Sequence, residues 1–242
     1  MRATNFEFRN RFWFISGIFV VSFWLYALDH QNLTNVLSAS LARWDGLSAG
    51  ANINLVVWLG AAAALVCIAV RVWATAYLRA DVMRDPSVRS ERVVADGPYR
   101  RVRNPLYLGN ILLALAMAPL ASRLGAVVLV VLMIAFSLRL IAREEAELKA
   151  SQGENYLRFA RAVPKLIPAL MPRLPSSGAR PRWKQAFIGE SFTMAFALAV
   201  VVFAATKNQK FFWICIVAGF AIAGLTRFWL KPGSVESKQQ SA

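Results

Sequence analysis

The apolar residues of this chain gather in six long runs separated by polar gaps, and this distribution limits the possible folds most strongly. The runs cover residues 12–28, 53–78, 106–120, 126–142, 186–205 and 211–230. A helix that crosses the roughly 30 Å apolar core of a bilayer needs about 20 such residues, and every run except the short third one is near that length. The pattern predicts an all-α, polytopic membrane bundle of about six transmembrane helices, with residues 1–242 forming a single membrane domain.

The basic residues lie in the gaps between the apolar runs. The net charge of +15 is therefore typical of cations that orient a membrane protein, and we expect no nucleic-acid partner. Seven arginines lie in the loop after the second run: Arg79, Arg84, Arg89, Arg92, Arg100, Arg101 and Arg103. Since cations favour the cytoplasmic side, we expect both termini, this loop and residues 143–184 to be cytoplasmic. Residues 29–52 are then expected to form a loop on the opposite side.

Cysteine and histidine are scarce in this chain. Cys67 and Cys215 both lie inside apolar runs, and His30 is the single histidine. Neither a disulfide framework nor a metal cluster is indicated by such a pattern. The first apolar run is not followed by a small-residue cleavage site, so we expect residues 12–28 to be retained as a span.

A polar stretch, residues 96–109, leads into the third apolar run. Gly97 and Pro98 form a turn signal, and Pro105 suits the first turn of a helix because it lacks a backbone N–H group. The start of a helix attracts anions, and the arginines at positions 100, 101 and 103 carry donors suited to a carboxylate or a phosphate. The stretch therefore predicts an anion site at the membrane surface.

The fourth apolar run is expected to continue as an exposed helix through residues 143–150. The third and fourth runs then form a hairpin whose ends bring two groups of side chains together. The first group is Tyr99, Arg100, Arg103, Asn104 and Tyr107, and the second is Arg143, Glu144 and Glu145. Such cations, carboxylates and aromatic rings suit a zwitterionic ligand that carries a flat base.

Three motifs in this order carry a resemblance to a known family. They are Gly97-Pro-Tyr-Arg-Arg-Val-Arg-Asn-Pro-Leu-Tyr-Leu-Gly109, Arg143-Glu-Glu-Ala-Glu-Leu148 and Gly153-Glu-Asn-Tyr-Leu-Arg-Phe159. The segment 78–168 resembles the isoprenylcysteine carboxyl methyltransferase and phospholipid methyltransferase family. This resemblance implies an integral membrane enzyme that uses S-adenosylmethionine to methylate a lipidic or prenylated substrate, which enters from the bilayer. Residues 186–230 form an additional C-terminal hairpin beyond the motifs.

The resemblance also implies the site residues. The implied cofactor-binding set is Tyr99, Arg103, Asn104, Pro105, Tyr107, Gly109, Glu144 and Glu145. The implied catalytic set is Arg103 or Arg143, which would orient a carboxylate or phosphate, and Glu144, which would balance the sulfonium or take a proton from an amine. The family usually has histidine where this chain has Asn104, and asparagine hydrogen-bonds but carries no charge and transfers no proton.

Two other functions remain as alternatives to methyl transfer. Sterol-type reductases resemble this chain in an Arg-x-Pro-x-Tyr element, but they use NADPH. A non-catalytic membrane protein, such as a transporter or assembly factor, is the second alternative, and charges along a transport path would favour it. Few charges lie within the runs: Arg71, Arg139 and Arg227 are expected to extend toward the membrane surface, and Glu190 lies near the start of its run.

Overall fold

In a computed structural model of the protein, residues 2–78 and 96–229 are described. Within these residues the chain forms ten α-helices and no strands. The helices are α1 (Asn5–Arg9), α2 (Arg11–Trp24), α3 (Leu33–Asp45), α4 (Ala49–Tyr77), α5 (Pro105–Met117), α6 (Arg123–Gln152), α7 (Glu154–Ala162), α8 (Trp183–Gly189), α9 (Ser191–Thr206) and α10 (Gln209–Trp229). The all-α fold class is confirmed for the described part of the chain.

Two of these helices, α4 and α6, are long and apolar enough to cross a membrane. The pair α8 and α9, which is bent by 69° at its junction, makes a third candidate span when it is counted as one unit. The remaining apolar runs form shorter apolar helices in α2, α5 and the first part of α10. The membrane character is therefore confirmed, while the count of six spans stays a prediction.

Local capping explains where the central helices begin. The side chain of Ser48 accepts a hydrogen bond from the backbone N–H of Ala51, so α4 begins four residues before the apolar run. Ser122 caps α6 in the same way through Gly125. Helix α5 begins at Pro105, as predicted. Helix α6 continues to Gln152, which confirms the predicted extension beyond the apolar run.

The prediction that residues 29–52 form a loop is wrong, because helix α3 lies within them. The side chain of Asn32 accepts hydrogen bonds from the backbone N–H groups of Thr34 and Asn35, which starts the helix. Gly46, with φ of 67°, ends it in the left-handed conformation that glycine adopts without strain. The segment contains no long apolar run, and such runs are the signal that located the other helices.

The core of the bundle is built around α4, which packs against α3, α5, α8 and α9. Its small residues Ala61 and Ala64 lie in one apolar cluster with Ala114 of α5, and small side chains let neighbouring helices approach closely. Val200 of α9 and Ile216 of α10 belong to the same cluster. The C-terminal hairpin α9–α10 therefore shares a core with α4 and α5.

The helices of the bundle start and end at two opposite ends. The starts of α5 and α9 and the last part of α6 lie at one end, which we call the polar end. At the far end, the hydroxyl group of Thr34 donates to the carbonyl of Pro119, and Arg123 pairs with Asp29 across 3.1 Å. These contacts mark the end of the bundle opposite to the polar end.

A segment rich in proline, residues 163–182, lies across the polar end and packs against residues 96–103. We call it the proline segment. Its backbone pairs with the polar stretch: Arg103 donates its N–H to the carbonyl of Pro164 at 2.9 Å, and Ala169 donates to the carbonyl of Arg101 at 2.9 Å. Backbone hydrogen bonds therefore hold the segment in place without regular secondary structure.

Asp96 anchors the far part of the proline segment. Its buried carboxylate accepts hydrogen bonds from the hydroxyl of Ser176, from the hydroxyl and N–H of Ser177 and from the N–H of Ala179. Burial acts to raise the pKa of Asp96, but these hydrogen bonds outweigh it and lower the pKa to about 2. The ionised carboxylate is thus the form that the fold stabilises.

We expect Asp96→Asn to destabilise the protein by roughly 1–3 kcal/mol at neutral pH, because charge-assisted hydrogen bonds are lost. The folded pKa lies below the usual value of about 4, so the stabilisation is full above that pH and is lost as the pH falls toward about 2. Thermal unfolding of the wild type and the variant across this range measures the effect. A difference in unfolding temperature between wild type and variant that does not shrink with falling pH would contradict the stabilising role of the ionised Asp96.

Candidate functional site

A cavity of about 640 Å³ begins at the polar end and runs between α2, α5, α6 and the α9–α10 hairpin. Six of the residues singled out from the sequence line it: Tyr99, Arg103, Asn104, Pro105, Tyr107 and Glu144. The start of α5 and the end of the apolar part of α6 bring these residues together. The predicted meeting of the two hairpin ends is therefore present in the structure.

Tyr107 and Glu144 form the direct link between α5 and α6 at the cavity. The hydroxyl group of Tyr107 donates to Oε1 of Glu144 at 2.8 Å, and Tyr107 is itself buried. This hydrogen bond fixes the direction of the Glu144 carboxylate. A negative charge is thus held in a defined place on the cavity wall.

Arg103 brings a positive charge to the same cavity. Its Nη1 lies 3.5 Å from Oε1 of Glu145, while its buried Nε has no hydrogen-bond partner among the described residues. Tyr156 of α7 lies beside this pair: its burial, reinforced by Glu145 and opposed by Arg103, raises the pKa of Tyr156 to about 12. A buried guanidinium donor without a partner is costly, which marks Arg103 as a residue suited to hold a ligand.

Asn104 lines the cavity with its amide nitrogen already engaged. This nitrogen donates to Oε1 of Glu145 at 3.1 Å and to the carbonyl of Lys165 at 3.2 Å. The ammonium group of Lys165 also lies 3.4 Å from Glu145. Asn104 and Glu145 therefore fasten the start of α5 to the proline segment.

Three residues of the implied cofactor-binding and catalytic sets do not line the cavity. Glu145 instead contacts Arg103, Asn104 and Lys165. Arg143 pairs with Glu147 at 2.8 Å and lies over the ring of Phe8, 4.7 Å from its centroid. Gly109 faces α4, where a Cβ atom would lie 2.2 Å from Cγ of Arg71, so only glycine allows this close approach.

Arg100 and Arg101 do not form the anion site that was predicted from the sequence. Nε of Arg100 donates to the carbonyl of Leu174 at 2.7 Å, and Nη1 of Arg101 donates to the carbonyl of Leu170. Both side chains therefore hold the proline segment, because its irregular backbone leaves carbonyl groups that need donors. Of the three arginines in the stretch, Arg103 lines the cavity.

Sequence reasoning missed a polar cluster in the cavity wall, formed around Arg71 and Glu190. Nε and Nη2 of Arg71 lie 2.6 Å and 3.1 Å from the two oxygens of Glu190, which is 2% exposed. Nη1 of Arg71 donates to Oδ1 of Asn110 at 2.5 Å and to the carbonyl of Leu106 at 3.2 Å, and Thr75 donates to Glu190 at 2.8 Å. This network ties the start of α9 to α4 and α5.

The interpretation of Arg71 as a side chain that extends to the membrane surface is wrong, because Arg71 is paired with Glu190 inside the bundle. Nη2 of Arg139 donates to both carboxylate oxygens of Glu7 in α1, at 2.8 Å and 2.7 Å. For Arg71 and Glu190, opposite charges in two separate apolar runs were the available signal, since charges within a membrane bundle tend to pair. The remaining residues of the arginine loop, Arg79, Arg84, Arg89 and Arg92, lie outside the described residues, as do the side chain of Arg227 and the C-terminal tail.

The described ranges, 2–78 and 96–229, contain no group of three or more histidine, cysteine, aspartate or glutamate side chains that could hold a metal ion.

Comparison with known proteins identifies part of the chain. The model of the isoprenylcysteine carboxyl methyltransferase (ICMT) family matches residues 58–150, which include most of α4, the start of α5 and Glu144. The cobalt-zinc-cadmium resistance protein CzcN of Cupriavidus metallidurans is 27% identical over 141 residues, which cover 57% of this chain and 61% of the relative. No solved structure matches the chain. The resemblance carried by the motifs is thus confirmed over residues 58–150, which are similar to the isoprenylcysteine carboxyl methyltransferase family.

Proposed function

We propose that the protein is an S-adenosylmethionine-dependent methyltransferase that acts on a lipidic or prenylated substrate with a carboxylate or amine head group. The observation that carries this proposal is the Tyr107–Glu144 hydrogen bond beside Arg103, at the polar end of a cavity that is apolar below. The family match supports a membrane methyltransferase, and the geometry supports a donor site at this place.

The residues at the polar end fit S-adenosylmethionine. The cavity volume of about 640 Å³ lies within the usual range for small-molecule sites. The unpartnered Nε of Arg103 is a donor for the carboxylate of the cofactor, and the Glu144 carboxylate suits its ammonium or sulfonium charge. The rings of Tyr99 and Tyr107 offer apolar faces for its base.

S-adenosylmethionine, when bound, supplies a methyl group that its sulfonium has already activated. The residues of this chain then have to align the substrate, exclude water and manage charge. Glu144, oriented by Tyr107, balances positive charge near the reacting centre or accepts a proton when the substrate is an amine. Arg103 orients the carboxylate of S-adenosylmethionine. Glu145 acts as a positioning residue because it pairs with Arg103.

The proposed arrangement in the membrane has six spans, with α2 and α5 as the shortest ones and the polar end facing the cytoplasm. The cationic gaps in the sequence support this orientation. A helix shorter than the bilayer core is accommodated by local thinning or by its neighbours, so α5 spans with the support of α4 and α6. Both termini and the donor site then lie on the cytoplasmic side.

The test of this function is methyl transfer to membrane lipids with a radiolabelled donor. We expect Glu144→Gln to lower the rate about 100-fold or more, because a positioned charge in the reacting centre typically contributes 10²–10⁴-fold. Glu154→Gln is the matched control: it also removes one carboxylate, but from an exposed ion pair with Arg161. Equal rates for the two variants would contradict the role of Glu144.

A further inference from the structure

We propose that the proline segment is a lipid-binding surface: its apolar residues Ile167, Leu170 and Met171 enter the outer part of the leaflet at the polar end, and its cations bind anionic lipid head groups. The segment lies outside residues 58–150, so it is a feature of this chain beyond the family match. The inference goes beyond methyl transfer and does not depend on a bound donor.

Three large apolar side chains of the proline segment are almost fully exposed. Ile167, Leu170 and Met171 are 82%, 90% and 75% exposed, and they lie within five consecutive residues. They belong to none of the helices, so their exposure is not that of the lipid-facing side of a span. Exposed apolar side chains that are grouped in this way mark a contact with a membrane or with another protein.

The backbone of the segment is fixed, so these side chains are held outward. The N–H of Ala169 donates to the carbonyl of Arg101, and the guanidinium of Arg101 donates to the carbonyl of Leu170. The N–H of Arg173 donates to the carbonyl of Arg100 at 2.8 Å. The apolar side chains therefore form a preorganised surface, which loses little conformational entropy when it makes a contact.

The neighbours of the segment place it at the membrane surface. Residues 100–103, which it contacts, directly precede the apolar helix α5. Helix α8 follows the segment and is bent by 69° from α9, so α8 lies closer to the membrane plane than to the membrane normal when α9 crosses the bilayer. Trp183 of α8 is 46% exposed, and tryptophan is typical of the boundary between lipid and water. The irregular backbone also fits this level, because it would be costly in the hydrocarbon core.

The charge of this region favours lipid with anionic head groups. Between Asn155 and Gly189 the chain has seven Lys or Arg residues and no Asp or Glu. Arg173 and Arg180 of the segment are exposed and form no ion pair with the described residues. Binding to a membrane surface grows with the apolar area that is buried and with the attraction of cations to anionic lipid. The proline segment offers both contributions.

The proposed lipid contact is joined directly to the mouth of the cavity. The carbonyl of Pro164 accepts from the N–H of Arg103, and the carbonyl of Lys165 accepts from the side chain of Asn104 at 3.2 Å. Arg103 and Asn104 both line the cavity. The lipid surface that the segment binds and the opening of the cavity are therefore held at one level.

Quenching of a fluorescent label in lipid vesicles tests the contact. The full chain, with Cys67 and Cys215 replaced by alanine, carries a nitrobenzoxadiazole label at Leu170→Cys, and no methyl donor is present. In vesicles of phosphatidylcholine and phosphatidylglycerol, lipids brominated on the acyl chain should quench this label at least about threefold more strongly than the same label at Ser151→Cys. Aqueous iodide should quench the two labels in the reverse order.

Ser151 is the matched control position. It is exposed at the same end of the bundle, but it lies nine residues beyond the apolar run that ends at residue 142. At about 1.5 Å per residue, this places it about 14 Å outside the apolar part of α6. A label there reports the aqueous phase.

Two double variants on exposed side chains separate the apolar and the charged contributions. Ile167→Ser, Met171→Ser should lower the quenching of the label at position 170 by brominated lipid about twofold or more. Arg173→Gln, Arg180→Gln retains the apolar side chains. We expect spin-labelled phosphatidylglycerol to quench the label about twofold more strongly than spin-labelled phosphatidylcholine, and this second variant should remove the difference.

Four outcomes would contradict the proposal. Equal iodide quenching at positions 170 and 151 would show that the patch faces water. A label that neither quencher reaches would show that a second copy or another protein covers it. Quenching by brominated lipid that persists in Ile167→Ser, Met171→Ser would assign the contact to the label, and equal quenching by the two spin-labelled lipids would overturn the anionic partner. No measurement here uses the methyl donor, so the failure of the proposed methyltransferase would leave these results unchanged.

Discussion

Replacing Glu190 by alanine is expected to lower the thermal unfolding midpoint of the detergent-purified protein by about 10 °C. Removing one partner of a buried ion pair typically costs about 3–5 kcal/mol, because the other charge stays buried without compensation. For a protein of this size, each kcal/mol corresponds to roughly 2–4 °C. The Glu190 carboxylate also accepts from Thr75, so the substitution leaves that hydroxyl and the Nε and Nη2 groups of Arg71 without their acceptor.

The double variant Arg71→Met, Glu190→Leu should recover most of this loss, because apolar residues of similar volume often replace a buried ion pair without cost. Arg161→Ala is the control, since its pair with Glu154 is exposed and such pairs contribute about 0–1 kcal/mol. Circular dichroism during heating measures all three variants. A Glu190→Ala midpoint within the error of Arg161→Ala would show that the cluster does not fasten the hairpin.

The largest effect on ligand binding is expected at Arg103. Arg103→Ala should weaken S-adenosylmethionine binding by about 10–100-fold, because a charge-assisted hydrogen bond contributes roughly 1.5–3 kcal/mol. Arg103→Lys should retain only part of the wild-type affinity for S-adenosylmethionine. Its ammonium group cannot reproduce the fork of guanidinium donors that also contacts Glu145. Titration of the donor into each purified variant gives the three affinities.

Arg101→Ala is the matched control for this prediction. It removes an arginine two positions away, whose side chain donates to the carbonyl of Leu170 in the proline segment rather than to the cavity. Its donor affinity should stay within about threefold of the wild type. If Arg101→Ala and Arg103→Ala weaken binding equally, the cations of the stretch act through the general positive potential and not through one positioned side chain.

The sequence predicted the elements that depend on local signals. Apolar runs located the helices that build the bundle, and Pro105 marked the start of α5. Motif order placed Tyr107 and Glu144 together, and the structure joins them by a hydrogen bond. These features could be predicted because each depends on residues close in sequence or on one helical hairpin.

The parts that could not be predicted depend on pairing between distant residues. The Arg71–Glu190 pair joins positions 119 residues apart, and nothing local distinguishes it from two separate charges near helix ends. Arg100 was assigned to an anion because its partner, the carbonyl of Leu174, belongs to an irregular segment that has no periodic signal. The packing of the C-terminal hairpin likewise depends on distant residues, since Phe212 and Ile216 lie in the same apolar cluster as Met117.

The most direct test of the proposed site is calorimetric titration of S-adenosylmethionine into the purified wild-type protein, with NADPH as the competing cofactor and Glu144→Gln alongside. We expect the wild type to bind S-adenosylmethionine at micromolar concentration, with NADPH giving no heat and Glu144→Gln binding at least about tenfold more weakly. A folded protein that binds NADPH and not S-adenosylmethionine would contradict the methyltransferase site and favour a reductase.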